Sequence, residues 1–169
     1  MRHILPLAFL ATPLHAQEVD LELVLLADAS GSITQSEIDF QRKGYAAAIT
    51  DPAVLNAITS QLTGAIAVTY VEWAANQVTV VGWTVIDSDE TALTFAENLL
   101  DPPRLAYGRN AIGDALLEGK RLIETNDIIG LRRVIDFSGD SLGFSAGPAF
   151  RRRGPRFWRP ISPSMACRS

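Results

Sequence analysis

Apolar residues along this chain occur in two patterns, short continuous runs and longer segments with helical spacing. Residues 21–27 (LELVLLA) are an almost unbroken apolar run, which is typical of a strand buried on both faces. Thr34 and Glu37 form a capping box, which predicts that a helix opens there. The same criteria predict, in chain order, a short helix from Asp51-Pro52, strands at 65–73 and 77–85, helices at 88–100 and 110–125, and a strand at 133–137. Strands that alternate with helices of about 10–15 residues indicate an α/β fold with a mostly parallel sheet.

The first sixteen residues have the pattern of an export signal. A basic start at Arg2 precedes an apolar run at 4–14, and Ala16 supplies a small residue at the cleavage point. The alternative is a buried first strand or helix, which the two prolines of this run disfavour because proline breaks a helix. We therefore expect residues 1–16 to be a signal peptide, and the mature chain to be periplasmic or secreted.

Composition and charge argue against a membrane-spanning protein and against a nucleic-acid-binding protein. The 169 residues are 47% hydrophobic and 20% charged, which fits one globular domain. No apolar run reaches the ~18–20 residues of a membrane-spanning helix. Segment 17–150 has 19 acidic and eight basic residues, a formal charge of −11. Because nucleic-acid binding needs clustered lysine and arginine, this acidic segment is a poor candidate for it.

Histidine and cysteine are scarce. The two histidines, His3 and His15, lie in the predicted signal peptide, and Cys167 is the single cysteine. A mature chain without imidazole, and with a thiol only near its C-terminal end, lacks the residues for a Ser-His-Asp triad, a Cys-His pair or a zinc site with His or Cys ligands. A single cysteine also cannot form an internal disulfide.

Oxygen donors follow two of the predicted strands and open one of the predicted helices. Asp28, Ser30 and Ser32 (in DASGS) come directly after the first strand, Asp140 follows the last strand, and Asn110 opens the helix before it. In open α/β sheets, ligands bind outside the carboxyl ends of the strands, where the strand order reverses. Oxygen donors suit Mg²⁺, Mn²⁺ or Ca²⁺ and disfavour zinc or copper. The Asp-x-Ser-x-Ser pattern alone is weak, since these residues are common in loops, and its place after a buried strand is what favours a metal site.

At these residues the chain resembles the von Willebrand factor type A domains. Their metal-ion-dependent adhesion site has an Asp-x-Ser-x-Ser first loop, a Thr from a second loop and an Asp from a third. Asp28, Ser30 and Ser32 match the first loop and Asp140 matches the third, whereas Asn110 stands where the family has its Thr. The resemblance is closer still to an exported bacterial branch, domain of unknown function 1194, through the stretches VDLELVLLADASGSI, FQRKGYAAAITDPAV, VEWA, GRNAIGDALL and RRVIDFSGD.

The resemblance implies a fold and a function. The fold is a Rossmann-like, three-layer α/β domain over residues 17–141 that lacks its last two strands. The function is that of an exported, non-enzymatic module that binds an acidic side chain of an unidentified protein partner through Mg²⁺, or else Mn²⁺ or Ca²⁺. The expected metal ligands are Asp28, Ser30, Ser32, Asn110 and Asp140. Two alternatives stay open, a metal-free interaction domain and, less favoured, a Mg²⁺-dependent phosphohydrolase.

Two other features near the last strand are interpreted as unrelated to metal binding. Asp136 lies within that strand, and we interpret it as a structural partner of Arg132 or Arg133. The string at 139–142 spells the GDSL motif of an esterase family, but no histidine follows it, and chance occurrence is the better explanation.

Residues 142–169 depart from the pattern of the rest of the chain. They contain six arginines, four of the nine prolines and no acidic residue. One hypothesis is an arginine-aromatic tail that binds anionic lipid or nucleic acid. The hypothesis that we favour is a truncated or out-of-frame gene product after about residue 141. Without further strands, the strand at 133–137 becomes an edge of the sheet.

Overall fold

The computed structural model describes residues 16–139, and this part of the chain contains four strands and four helices. The strands are β1 (Gln17–Asp28), β2 (Ile66–Trp73), β3 (Gln77–Ile86) and β4 (Ile128–Phe137). The helices are α1 (Gln35–Ile49), α2 (Pro52–Thr59), α3 (Asp89–Leu100) and α4 (Ile112–Glu124). The predicted signal peptide, apart from Ala16, and the tail at 142–169 lie outside the described residues.

The strands form one sheet in the order β3-β2-β1-β4. β1 is parallel to both of its neighbours, and β3 returns antiparallel to β2 after a short turn at 74–76. The strand order reverses at β1, because the chain passes from β1 to β2 on one side and reaches β4 on the other. The predicted α/β class and mostly parallel sheet are confirmed.

Helices cover both faces of the sheet. α1, α2 and α3 pack on one face around a core that includes Leu25, Tyr70 and Phe95. α4 packs on the other face, where Ala115 meets Leu26 in a second core. Leu25 and Leu26 enter opposite cores because successive side chains of a strand point to opposite faces. This two-sided burial is the reason that β1 is an almost unbroken apolar run, and it gives the three layers that were predicted.

The starts of three elements differ from prediction by two or more residues, and the first of them is β1, which begins at Gln17 rather than at Leu21. β4 begins at Ile128 rather than at Arg133. Gly130 interrupts the apolar pattern there, and a Cβ on it would lie 2.7 Å from Cγ of Glu22, so the glycine gives that side chain room to cross β4. α4 begins at Ile112 rather than at Asn110, and Ala111 is its N-cap without a side-chain cap.

β4 is the edge of the sheet within residues 16–139, as predicted. It pairs with β1 along one side, and Ile129 and Leu131 are exposed on it. None of the four described helices combines the length and the hydropathy that crossing a lipid bilayer requires.

Candidate metal centre at the carboxyl edge of the sheet

The first predicted loop turns sharply where β1 ends. Asp28 is the last residue of β1, and its Oδ1 accepts the backbone N–H of Ser30 at 2.8 Å. The backbone N–H of Ala29 donates to the carbonyl of Trp73 at 2.9 Å, which holds the turn against the end of β2. Asp28 and Ser30 are 1% and 0% exposed. A carboxylate and a hydroxyl are therefore buried side by side at the carboxyl end of the central strand.

The two serine hydroxyls of this loop lie next to each other. Oγ of Ser30 is 3.3 Å from Oγ of Ser32. Two ligands at adjacent corners of an octahedron around Mg²⁺ lie about 3 Å apart, because each metal–oxygen bond is ~2.0–2.1 Å long. The hydroxyl pair therefore has the spacing that one hard cation accepts. Ser30 is buried and Ser32 is exposed, so the pair spans the boundary between protein and solvent.

The loop that carries Asn110 is held against the first loop. The backbone N–H of Gly31 donates to the carbonyl of Gly108 at 2.8 Å, and the N–H of Ala75 donates to the carbonyl of Tyr107 at 3.2 Å. Gly108 has φ of +104°, and a Cβ on it would lie 2.8 Å from Cβ of Ala75. Glycine at this position is what permits the close approach. Half-buried Asn110 follows two residues later.

The third loop begins beside Asp28 as well. The backbone N–H of Ser138 donates to the carbonyl of Leu26 at 2.9 Å, and the Ser138 hydroxyl accepts the N–H of Asp28 at 3.4 Å. A Cβ on Gly139 would lie 3.5 Å from Oδ2 of Asp28. The predicted ligand Asp140 comes next in sequence and lies outside the described residues.

Asp136 has a structural contact on the α1 side of the sheet. The hydroxyl of Tyr45 in α1 donates to Oδ2 of Asp136 at 3.4 Å. Burial, and then the charge of Asp136, raise the pKa of Tyr45. Arg133 instead donates to Glu22 at 3.1 Å. Asp136 therefore has a structural contact, but with Tyr45 rather than with the predicted Arg132 or Arg133.

The chemistry of the donors limits the kind of ion that fits. Residues 16–139 contain no group of three or more His, Cys, Asp or Glu side chains that would hold a metal by themselves. Of the predicted ligands that the structure describes, Asp28 is the carboxylate, Ser30 and Ser32 are hydroxyls, and Asn110 is an amide. An all-oxygen set with a single described negative charge fits Mg²⁺, Mn²⁺ or Ca²⁺, and it does not fit zinc or copper.

Three charged residues that support the site were not predicted from the sequence. Arg104 donates to backbone carbonyls of the first loop, and a buried ion pair between Arg42 and Glu72 holds the segment on which Arg104 lies. No local sequence signal marks the pair, because its members are thirty positions apart.

Comparison with known proteins gives one family match. The family model described as "Protein of unknown function (DUF1194)" matches residues 18–153. No curated protein matches the chain.

Among solved structures, the chain is similar to domains of a pilus tip protein. A crystal structure of the vWF domain of the type V pili tip protein Mfa5 from Porphyromonas gingivalis has 11% identity and a TM-score of 0.44, over 69% of this chain and 36% of that one. A structure of three N-terminal domains of the same protein has 11% identity and a TM-score of 0.43, over 69% of this chain and 19% of that one. The chain thus spans about a third of the first structure and a fifth of the second.

Proposed function

This chain belongs to the DUF1194 family of proteins of unknown function, and we propose that it is an exported, non-enzymatic protein-binding module that works through a divalent cation. The ion is held by Asp28, Ser30 and Ser32, with Asn110 and Asp140 completing the set directly or through water. One coordination position faces solvent and accepts an acidic side chain of a protein partner. Mg²⁺ is the expected ion, and Mn²⁺ or Ca²⁺ suits the same donors.

The observation that carries this proposal is the spacing of the two hydroxyls beside a buried carboxylate. The Oγ atoms of Ser30 and Ser32 are 3.3 Å apart, and the Asp28 carboxylate is almost completely buried next to them. Burial of a carboxylate is costly unless hydrogen bonds or a cation compensate it. The alternate positions 28, 30 and 32 are also those of the adhesion-site loop that the sequence resembles.

The surroundings of the second and third loops support the same proposal. The Gly31–Gly108 hydrogen bond brings the segment before Asn110 to the first loop, and Gly139 lies against the Asp28 carboxylate. Asn110 has a longer side chain than the Thr of the family pattern, and we expect its amide oxygen to bind the ion directly or through water.

Binding rather than catalysis is proposed because, apart from the proposed ligands themselves, no nucleophile or general base is described beside the ion. Asp136, a further carboxylate near the end of β4, contacts Tyr45 instead. The specific observation that favours a metal-free interaction domain is that residues 16–139 contain no cluster of three acidic, histidine or cysteine side chains.

The experiment that tests the proposal is Mn²⁺ titration of the full chain, with free Mn²⁺ followed by electron paramagnetic resonance. We expect the wild-type protein to bind one Mn²⁺ and Asp28→Asn to lose most of the affinity, because the substitution removes the negative charge and keeps an acceptor for the Ser30 N–H. Asp127→Asn, at an exposed position outside the site, is the matched control and should bind like the wild type. Equal affinity in Asp28→Asn and the wild type would refute this metal site, whereas no Mn²⁺ binding by the wild type would favour the metal-free domain.

A further inference from the structure

One arginine side chain holds the backbone of the first loop. The guanidinium of Arg104 donates to the carbonyl of Ile33 at 2.9 Å and to the carbonyl of Ser30 at 3.0 Å, and it also donates to the carbonyl of Ala29. Its Nε donates to the carbonyl of Ala106 at 3.0 Å, within its own segment. A single side chain thus bridges the segment at 104–106 and three carbonyls of the loop that contains the proposed ligands.

Two of these carbonyls lie in the turn between β1 and α1. The N–H of Ser30 is directed to the Asp28 carboxylate, and the N–H of Ala29 is used by the end of β2. The carbonyls of Ala29 and Ser30 lie between a strand and a helix, outside the regular hydrogen bonding of either, and the carbonyl of Ser30 also accepts the N–H of Ile33 at 2.9 Å. Buried carbonyls without a donor are costly, and the planar fork of arginine satisfies several acceptors at fixed relative positions.

The segment that carries Arg104 is itself anchored to a buried ion pair. Glu72 and Arg42 are 1% and 3% exposed, and they are joined at 2.6 Å. Oε2 of Glu72 accepts the backbone N–H of Leu105 at 3.2 Å, and Arg42 donates to the carbonyls at 102–103. The ion pair therefore holds the backbone on both sides of Arg104.

We infer that Arg104 is a positioning residue for the proposed metal site. It holds the backbone at 29–33 so that the hydroxyls of Ser30 and Ser32 are already in place when the ion arrives. This inference rests on the proposed function, and it adds a residue that does not touch the ion. Residues that orient metal ligands typically change metal affinity by about 10–100-fold when they are replaced.

The charge of Arg104 allows positioning to be separated from electrostatics. A positive side chain near a cation site repels the ion, so loss of the charge alone would strengthen Mn²⁺ binding. Loss of positioning would weaken it. Arg104→Met removes the charge and the donors, whereas Arg104→Lys keeps the charge and loses the planar fork. If Arg104 positions the loop, both variants should bind Mn²⁺ more weakly than the wild type. If its charge alone matters, Arg104→Met should bind Mn²⁺ more tightly.

The experiment measures Mn²⁺ affinity of the full chain well below the unfolding temperature of each variant. We expect about 10–100-fold weaker binding in Arg104→Met and Arg104→Lys. Arg121→Met is the matched control, since Arg121 pairs with Glu118 on the exposed side of α4, and its affinity should equal that of the wild type. Hydrogen exchange of the amides at 29–33 should accelerate in the two Arg104 variants and remain unchanged in the control.

The outcomes separate this inference from the proposed function. Wild-type affinity, or tighter binding, in Arg104→Met overturns the positioning role while the loss of binding in Asp28→Asn still supports the metal site. If Arg104→Met does not fold, Arg104→Lys decides the question, and unchanged affinity there overturns the inference. Failure of the wild-type protein to bind Mn²⁺ overturns both.

Discussion

Trp73 at the end of β2 stacks on Phe137 at the end of β4, with the ring centroids 4.8 Å apart and the planes inclined by 25°. Nε1 of Trp73 also donates to the carbonyl of Ser138 at 3.0 Å. Since β1 lies between β2 and β4, this contact passes over the end of β1, where Asp28 pairs with Trp73 in the register. It therefore joins the third loop to the end of β2, where the carbonyl of Trp73 also accepts the N–H of Ala29 in the first loop.

The hydrogen bond from Trp73 to the carbonyl of Ser138 is expected to make a measurable contribution to the free energy of unfolding. Trp73→Phe keeps an aromatic ring against Phe137 but leaves the carbonyl of Ser138 without its donor, so the free energy of unfolding should fall by about 1–3 kcal/mol. Trp83→Phe is the control, because Nε1 of Trp83 is buried without a hydrogen-bond partner among the described residues. Urea denaturation of both variants compares the two, and an equal loss would mean that the Ser138 bond contributes nothing.

Gly108 is expected to tolerate no side chain. Gly108→Ala combines a φ of +104° with a Cβ that would lie 2.8 Å from that of Ala75, so we expect a loss of about 1–3 kcal/mol in unfolding free energy. Gly44→Ala has the opposite expectation: Gly44 lies within α1 with open space around its Cβ position, and alanine should stabilise the protein by about 0.5–1 kcal/mol. Thermal and urea unfolding of the two variants measure whether stability falls in Gly108→Ala and rises in Gly44→Ala.

The free energy of unfolding should depend strongly on the presence of both partners of the Arg42–Glu72 ion pair. Arg42→Met leaves the Glu72 carboxylate buried without its cation, and removal of one partner of a buried pair typically costs about 3–5 kcal/mol. Adding Glu72→Gln should recover part of that loss, because the neutral amide keeps an acceptor for the N–H of Leu105 and needs no cation. A double-mutant cycle by urea denaturation measures the coupling, and strict additivity would contradict it.

Local sequence signals predicted the elements well, and long-range contacts explain the errors. The capping box of Thr34 and Glu37 is present as the sequence predicts, and α3 begins one residue after the predicted start at Ser88, which is its N-cap. The start of β4 was misplaced because Gly130 looks like a break, although it only makes room for Glu22. Asn110 is a typical N-cap residue, but the contacts of Gly108 fix the loop so that Ala111 takes that position.

The same distinction applies to the candidate site. Asp28, Ser30 and Ser32 are contiguous, so their grouping follows from a five-residue motif placed after a buried strand. The role of Arg104 depends on contacts made across about seventy positions of the chain, and no local pattern contains that information.

The capping box of α1 predicts how the stability of the protein changes at acid pH. Hydrogen bonds from the side chain and backbone of Thr34 lower the pKa of Glu37 from its ordinary value of 4.5. A carboxylate whose pKa is lower in the folded protein stabilises the fold above its unfolded pKa, and this contribution is lost as the pH falls through the folded pKa. The difference in unfolding free energy between the wild type and Glu37→Gln should therefore shrink on acidification below pH 4.5, as urea denaturation at several pH values would measure. In a Thr34→Ala background this pH dependence should be reduced, and its persistence there would contradict the assignment to Thr34.

Metal binding should also raise the stability of the folded protein against unfolding. An ion that binds the folded state alone adds about 2.7 kcal/mol at a concentration 100 times its dissociation constant, so the unfolding temperature should rise with Mn²⁺ concentration. EDTA should reverse the rise, and Asp28→Ala should abolish it by deleting the anionic ligand of the first loop. Asp127→Ala is the control, at an exposed position outside the site, and should keep the full response. Calorimetry or fluorescence-detected melting of the full chain gives the measurement. A rise that persists in Asp28→Ala would place the ion elsewhere on the protein, because the Ser30 and Ser32 hydroxyls are neutral and bind a hard cation weakly without a carboxylate.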